Sequence, residues 1–177
     1  ADKDTKSQCE PCDPSLGTET EGSEECVRCP VGKFLDKTQS GRCASCAAGK
    51  YRDEEMLQDD EAKQSPGVAY EESCRDCPAG TYGELSGAVS EHNCTKCEAG
   101  TYSEATGNAT RATCRACDTG TYAEAGWGVC KDCPANRTTP SVQSSLLSCV
   151  CEMGFFQIDN VTCSACSAGK FNDQYDQ

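Results

Sequence analysis

The chain has 177 residues and a formal net charge of −13, and Leu, Ile, Val and Phe supply only 19 of its positions. So little apolar material builds neither an ordinary core nor the apolar pocket that shapes an enzyme's substrate site. With 16 Lys and Arg against 29 Asp and Glu, no basic surface is expected for phosphate, which sets aside nucleic acid and anionic membranes as partners.

Such a composition would belong to a disordered chain were it not for 18 cysteines, about a tenth of all residues, the level at which a sequence reads as a covalently stapled scaffold. No stretch approaches the roughly 18 apolar residues that cross a bilayer, so no direct membrane insertion is expected in this segment. The start, Ala1-Asp2-Lys3-Asp4, lacks the apolar core of a signal peptide, which points to a mature or excerpted chain.

In chain order the cysteines fall as Cys9/12, Cys26/29, Cys43/46, Cys74/77, Cys94/97, Cys114/117, Cys130/133, Cys149/151 and Cys163/166, all C-x-x-C except the C-x-C at 149/151. Three residues after the second cysteine a glycine recurs, and five residues after it a Tyr or Phe. The matches run through Gly32 and Phe34, Gly49 and Tyr51, Gly80 and Tyr82, Gly100 and Tyr102, Gly120 and Tyr122, Gly154 and Phe156, and Gly169 and Phe171. The glycine is expected at positive φ so that the chain reverses after the cystine. The ring is then expected to lie across the sulfur pair and the neighbouring unit. Two units depart from the pattern: Ser15 and Gly17 stand at these positions in the first, Asn136 and Thr138 in another.

Gly80-Thr81-Tyr82 and Gly100-Thr101-Tyr102 predict two-stranded ribbons. Between Tyr51 and Tyr70 one inter-cysteine loop swells, and Asp53 to Glu61 reads as a short acidic helix or a solvated loop, the loop being preferred; a partner contact ranks second and a calcium site is discounted because the EF-hand glycine is absent. The expected organisation is an atypical first unit at 1–25, tandem repeats over 26–129 with an acidic insertion at 52–73, a closing module at 130–162, and the start of a further repeat at 163–177.

Three uses of the cysteines compete: disulfides, zinc ribbons and a redox pair. Zinc sites consume cysteines in fours, and 18 is not a multiple of four; a redox enzyme needs one reactive pair rather than eight. Of five asparagines, four open N-x-T sequons, Asn93, Asn108, Asn136 and Asn160. Ser and Thr occupy 31 of 177 positions, so this enrichment by chance has a probability on the order of 0.004 and argues for secretion. All four are candidate N-glycan sites, Asn93 being the first expected to be skipped because it adjoins Cys94.

Spacing suggests that the second cysteine of each pair opens a loop which the first cysteine of the next pair closes. The expected bonds are Cys12 to Cys26, Cys29 to Cys43, Cys46 to Cys74, Cys77 to Cys94, Cys97 to Cys114, Cys117 to Cys130, Cys133 to Cys149 and Cys151 to Cys163, with Cys9 and Cys166 left for partners upstream and downstream. A register joining Cys74 to Cys94 and Cys77 to Cys97 is the competitor. Loops of about 15 residues would each contribute roughly 3 kcal/mol.

Cys94-Thr-Lys-Cys-Glu-Ala-Gly-Thr-Tyr-Ser103 and Cys114-Arg-Ala-Cys-Asp-Thr-Gly-Thr-Tyr-Ala123 resemble the ephrin-receptor-like cysteine-rich repeat, which is related in pattern to tumour necrosis factor receptor modules. Cys130-Lys-Asp-Cys-Pro134 through Cys149-Val-Cys-Glu-Met-Gly-Phe-Phe156 resembles its close in ephrin receptors, and the likeness spans Cys26 to Phe171. It implies an elongated rod of small disulfide modules without enzymatic activity.

The only histidine, His92, reads as a solvated loop residue, and carboxylate pairs such as Asp59 and Asp60 read as surface charge, so no catalytic residue, metal or cofactor is expected. Trp127 reads as a cap on a neighbouring unit in preference to an exposed anchor for a partner. The expected fold is small and disulfide-rich, an elongated tandem array of short β-ribbon modules with almost no hydrophobic core. The expected function is structural: a stiff segment of a longer secreted or cell-surface glycoprotein, with an extracellular filament or appendage as one setting. Its partners would be other protein subunits, flanking repeats and N-linked glycans. The alternative is a ligand-binding or spacer stalk of a receptor ectodomain.

Overall fold

A computed structural model describes residues 9–14, 16–36, 38, 41–62, 73–142, 145–159 and 162–175. Among the described residues seven separate two-stranded antiparallel ribbons follow one another along the chain. They pair β1 (Lys33–Asp36) with β2 (Arg42–Ser45), β3 (Lys50–Tyr51) with β4 (Arg75–Asp76), β5 (Thr81–Tyr82) with β6 (Thr95–Lys96), and β7 (Thr101–Tyr102) with β8 (Arg115–Ala116). The remaining ribbons are β9 (Thr121–Tyr122) with β10 (Lys131–Asp132), β11 (Arg137–Thr138) with β12 (Val150–Cys151), and β13 (Phe155–Gln157) with β14 (Cys163–Ala165).

The two residues inside a C-x-x-C pair are themselves a strand: Arg75–Asp76, Thr95–Lys96, Arg115–Ala116 and Lys131–Asp132 are all of this kind. Along extended chain, positions three apart face opposite sides. One cysteine of each pair therefore points back to the preceding loop and the other forward to the next. The structure joins Cys12–Cys26, Cys29–Cys43, Cys46–Cys74, Cys77–Cys94, Cys97–Cys114, Cys117–Cys130, Cys133–Cys149 and Cys151–Cys163, the same opener-to-closer pairs that spacing suggests. Cys9 and Cys166 are unbonded. Each loop from an opening to a closing cysteine is called a module below, named by its opener.

Cystine takes the place of a core. Of the buried apolar residues described, eleven are cysteines and the others are Leu35, Tyr51, Ala88, Ala123 and Val150. Leu35 gathers with Cys29 and Cys43, and Tyr51 gathers with Cys77, Cys94 and Ala88 of the following module. The ring's cover is uneven, however: Tyr51 is 4% exposed whereas Phe171 is 84% exposed, so not every ring lies under a neighbour as the repeat suggests.

In the swollen loop the chain forms a helix, α1 (Glu54–Ala62), rather than the preferred solvated loop. Its start explains why. Asp53 accepts the Met56 N–H at 3.1 Å, Glu54 and Glu55 occupy the first turn where acidic groups complement the helix dipole, and Met56 packs against the Tyr51 cluster. The rest of the insertion, 63–72, lies outside the described residues, as do Ser15 and the side chains of Asp59 and Asp60.

Candidate functional site

Chemistry that recurs from module to module is in the backbone. Every repeat glycine three residues after an opener has positive φ, from 73° at Gly32 to 85° at Gly154, and Asn136 takes the same place at 61°. This turn presents its carbonyl to the N–H of the next opener: Cys46 donates to Gly32, Cys77 to Gly49, Cys97 to Gly80, Cys117 to Gly100 and Cys133 to Gly120, all at 2.8–2.9 Å. The glycine's own N–H donates to the carbonyl just past the ring position of the next module, Gly32 to Arg52, Gly49 to Gly83, Gly80 to Ser103 and Gly100 to Ala123, at 2.7–2.8 Å.

A second glycine answers from the middle of the loop. The N–H groups of Gly87, Gly107 and Gly126 donate to the carbonyls of Cys46, Cys77 and Cys97, the openers of the preceding modules. The same three glycines also reach one module further back. A Cβ on Gly32 would lie 2.3 Å from the Gly87 carbonyl oxygen, one on Gly49 2.2 Å from that of Gly107, and one on Gly80 2.1 Å from that of Gly126. Each of these modules therefore grips both its neighbour and its next-nearest neighbour. Sequence reading missed this second glycine, although a signal for it exists: Gly87, Gly107 and Gly126 follow Tyr82, Tyr102 and Tyr122 by four or five residues.

The pattern breaks at the C-x-C. Gly120 donates to the side-chain oxygen of Thr139 at 2.8 Å in place of a carbonyl, and Thr139 is 1% exposed. Glu152 rather than a cysteine donates to the Asn136 carbonyl, a one-residue slip that follows from the shorter spacing. Arg137 Nη2 bonds the Cys149 carbonyl oxygen across the closing loop.

Trp127 caps its own module, which differs from the expected cap on a neighbour: its ring lies 5.6 Å from that of Tyr122 and Lys131 Nζ sits 4.3 Å over its face. Its backbone carbonyl carbon reaches the module two steps back, at 2.7 Å from where a Gly80 Cβ would stand. His92 is exposed in a single helical turn, Glu91–Asn93. Asn93 is exposed, Asn108 half-buried and Asn136 exposed, while Asn160 lies outside the described residues.

An open groove of about 420 Å³ runs between Tyr82, Lys96 and Arg111, and the ion pair between Arg111 and Glu98 at 2.8 Å is exposed on both sides. It is lined mostly by polar and charged side chains, and nothing in it desolvates one carboxylate against another as acid–base chemistry requires. Burial pushes the hydroxyl of Tyr51 above its ordinary pKa, and the Arg75 guanidinium bonded to it opposes that shift. The phenol also donates to Glu91 at 3.4 Å.

Residues 105–149 match the family described as tyrosine-protein kinase ephrin type A/B receptor-like. Over that stretch the chain is similar to an ephrin-receptor-like cysteine-rich module, and the run of disulfide-bonded modules on either side fits an array of such repeats. No curated protein matches it. The matched stretch of the array runs from the Cys97 loop to the cysteine that closes the Cys133 module, across the boundary expected at 129/130. The family is a receptor-type module and not an enzyme family. The match over 105–149 together with the eight disulfides suggests an extracellular, receptor-type segment. No described helix is long and apolar enough to cross a membrane.

Proposed function

We propose that the array is a non-catalytic spacer, a stiff stapled segment that sets distance and supports assembly in a longer secreted or cell-surface glycoprotein. The observation that carries this reading is the contact of Gly32, Gly49 and Gly80 with both the next module and the one after it. Modules joined only to their neighbours form a chain with a joint at every step; a grip reaching two steps resists bending at each joint. The accessible surface agrees. It is 11638 Å², where a compact chain of 18.8 kDa exposes roughly 8,300 Å².

Small-angle scattering tests the proposal. A compact chain of this length has a radius of gyration of about 16 Å; the spacer is expected well above that, and a value near it removes the proposal.

A receptor-ectodomain stalk is the second reading, favoured by the family match at 105–149. The net charge of −13 gives such a stalk a preference for basic ligands. A ligand captured by this charge is lost in high salt, whereas one held by the exposed rings is retained.

A further inference from the structure

The sequons differ in which carboxamide atom the fold already uses. N-glycosylation joins the side-chain nitrogen of Asn to C1 of a sugar: the Nδ2–C1 bond forms, the bond from C1 to a lipid pyrophosphate breaks, the pyrophosphate leaves, and Nδ2 gives up one proton. The product keeps its carbonyl oxygen as an acceptor but retains a single N–H. A fold that uses only Oδ1 tolerates the glycan, whereas one that uses both N–H groups does not.

Asn93 uses its oxygen. Oδ1 accepts the N–H groups of Val89 and Ser90, both at 3.1 Å, and the residue is exposed. Asn136 is exposed at the tip of its left-handed turn, and its bond to Glu152 is made by the backbone carbonyl. Asn108 is the reverse case. Its Nδ2 donates to Ser103 Oγ at 2.8 Å and to the Ala105 carbonyl at 2.7 Å, and Ser103 is 4% exposed. The Asn108 backbone carbonyl accepts the N–H of Gly83 in the preceding module, and its carbonyl carbon would stand 2.9 Å from a Cβ on Gly49, two modules back. A sugar on this nitrogen removes one of the two short bonds and needs space where three modules meet.

We infer that the array carries N-linked glycans at Asn93 and Asn136 and none at Asn108, whose side-chain nitrogen is a structural strut. The inference rests on the extracellular reading above, since the secretory pathway holds the lipid-linked sugar donor.

The test is to secrete the whole chain from eukaryotic cells and release its glycans in heavy-oxygen water with an amidase that leaves Asp at each occupied site. Peptide mass spectrometry then reads the sites. Label at Asn93 and Asn136 with Asn108 unlabelled is the expected result; any other pattern at these three overturns the inference. A different pattern on a secreted, disulfide-bonded chain sinks the inference alone, whereas a chain retained with free thiols sinks the extracellular reading with it. Asn108→Asp keeps the size of the side chain and removes both donors. It is expected to speed amide exchange at Gly83 about tenfold, the effect of one lost hydrogen bond, while Asn136→Asp leaves that amide unchanged. Equal exchange in the two variants overturns the strut.

Discussion

Gly80 and Gly154 share one backbone conformation, with φ of 80° and 85°, yet they stand in different surroundings. A Cβ on Gly80 meets the Gly126 carbonyl oxygen at 2.1 Å, whereas nothing lies within 4 Å of one on Gly154. Gly154→Ala is therefore expected to cost only the backbone strain of a left-handed alanine, about 1 kcal/mol. Gly80→Ala adds the displacement of a module two steps away, for a loss of about 3 kcal/mol. Hydrogen exchange at the Gly126 amide checks this, and equal losses would mean that the two-step contact is not what requires glycine at 80. Tyr51 gives the pH counterpart. Its hydroxyl is held above the ordinary value of 10 by burial, so the folded chain keeps the phenol proton more tightly than the unfolded chain. That contribution is fully present below about pH 10 and is lost as pH rises through the higher folded value. Followed by phenolate absorbance, Tyr51 is expected to ionise above the ordinary tyrosine range, with unfolding in the same step, and Tyr51→Phe is expected to abolish that late step while the ring stays in place.

At the level of the element, ribbons of two residues per strand hold no shape unaided; each survives because a cystine closes both its ends. Replacing Cys77 and Cys94 together with Ala opens a loop of sequence separation 17 and is expected to cost about 3 kcal/mol. The N–H of residue 77 bonds Gly49 and its carbonyl accepts from Gly107, so exchange is expected to quicken in the modules on both sides. A loss confined to 77–94 would show that the modules are independent beads. Much of this level was legible in the sequence, because the covalent pattern is periodic: the cysteine spacing, the turn glycines and the ribbons after them recur without needing any long-range contact. The partners of the loop glycines were not legible. Gly87, Gly107 and Gly126 sit in Ser-Gly-Ala, Thr-Gly-Asn and Ala-Gly-Trp, which share no side chain at matching positions, and what they meet is backbone one and two modules back. Helix α1 ranked behind a solvated loop for a different reason. Its acidic surface resembles a solvated loop, and its fixed points are one cap, Asp53, and one apolar contact, Met56.

Over the whole molecule, stability and extent come from the same source. A packed globule grows by enlarging its core, and its surface falls behind its volume; this chain adds cystines in sequence and keeps its surface in proportion to its length. The excess of carboxylates follows from that geometry, since no interior exists to exclude them and like charges spread along an array repel less than they would on a sphere. Asp76 bonds Lys50 within its ribbon at 2.7 Å and also accepts the Thr106 hydroxyl of the Cys97 module at 3.3 Å.

The two-step grip also bears on how such an array could lengthen. The Cys77 module carries both halves of the contact, a turn glycine that receives (Gly80) and a loop glycine that inserts (Gly87), and the Cys97 module has glycines at the same two positions, Gly100 and Gly107. A tandem duplication of one such unit would bring its own complementary surfaces and meet compatible ones on either side, so length can change by whole modules without inventing an interface. The Cys133 module lacks the turn glycine, and the C-x-C after it shifts the backbone phase by one residue. Copying that unit would insert a mismatch, which makes it suited to terminate a run of interchangeable parts.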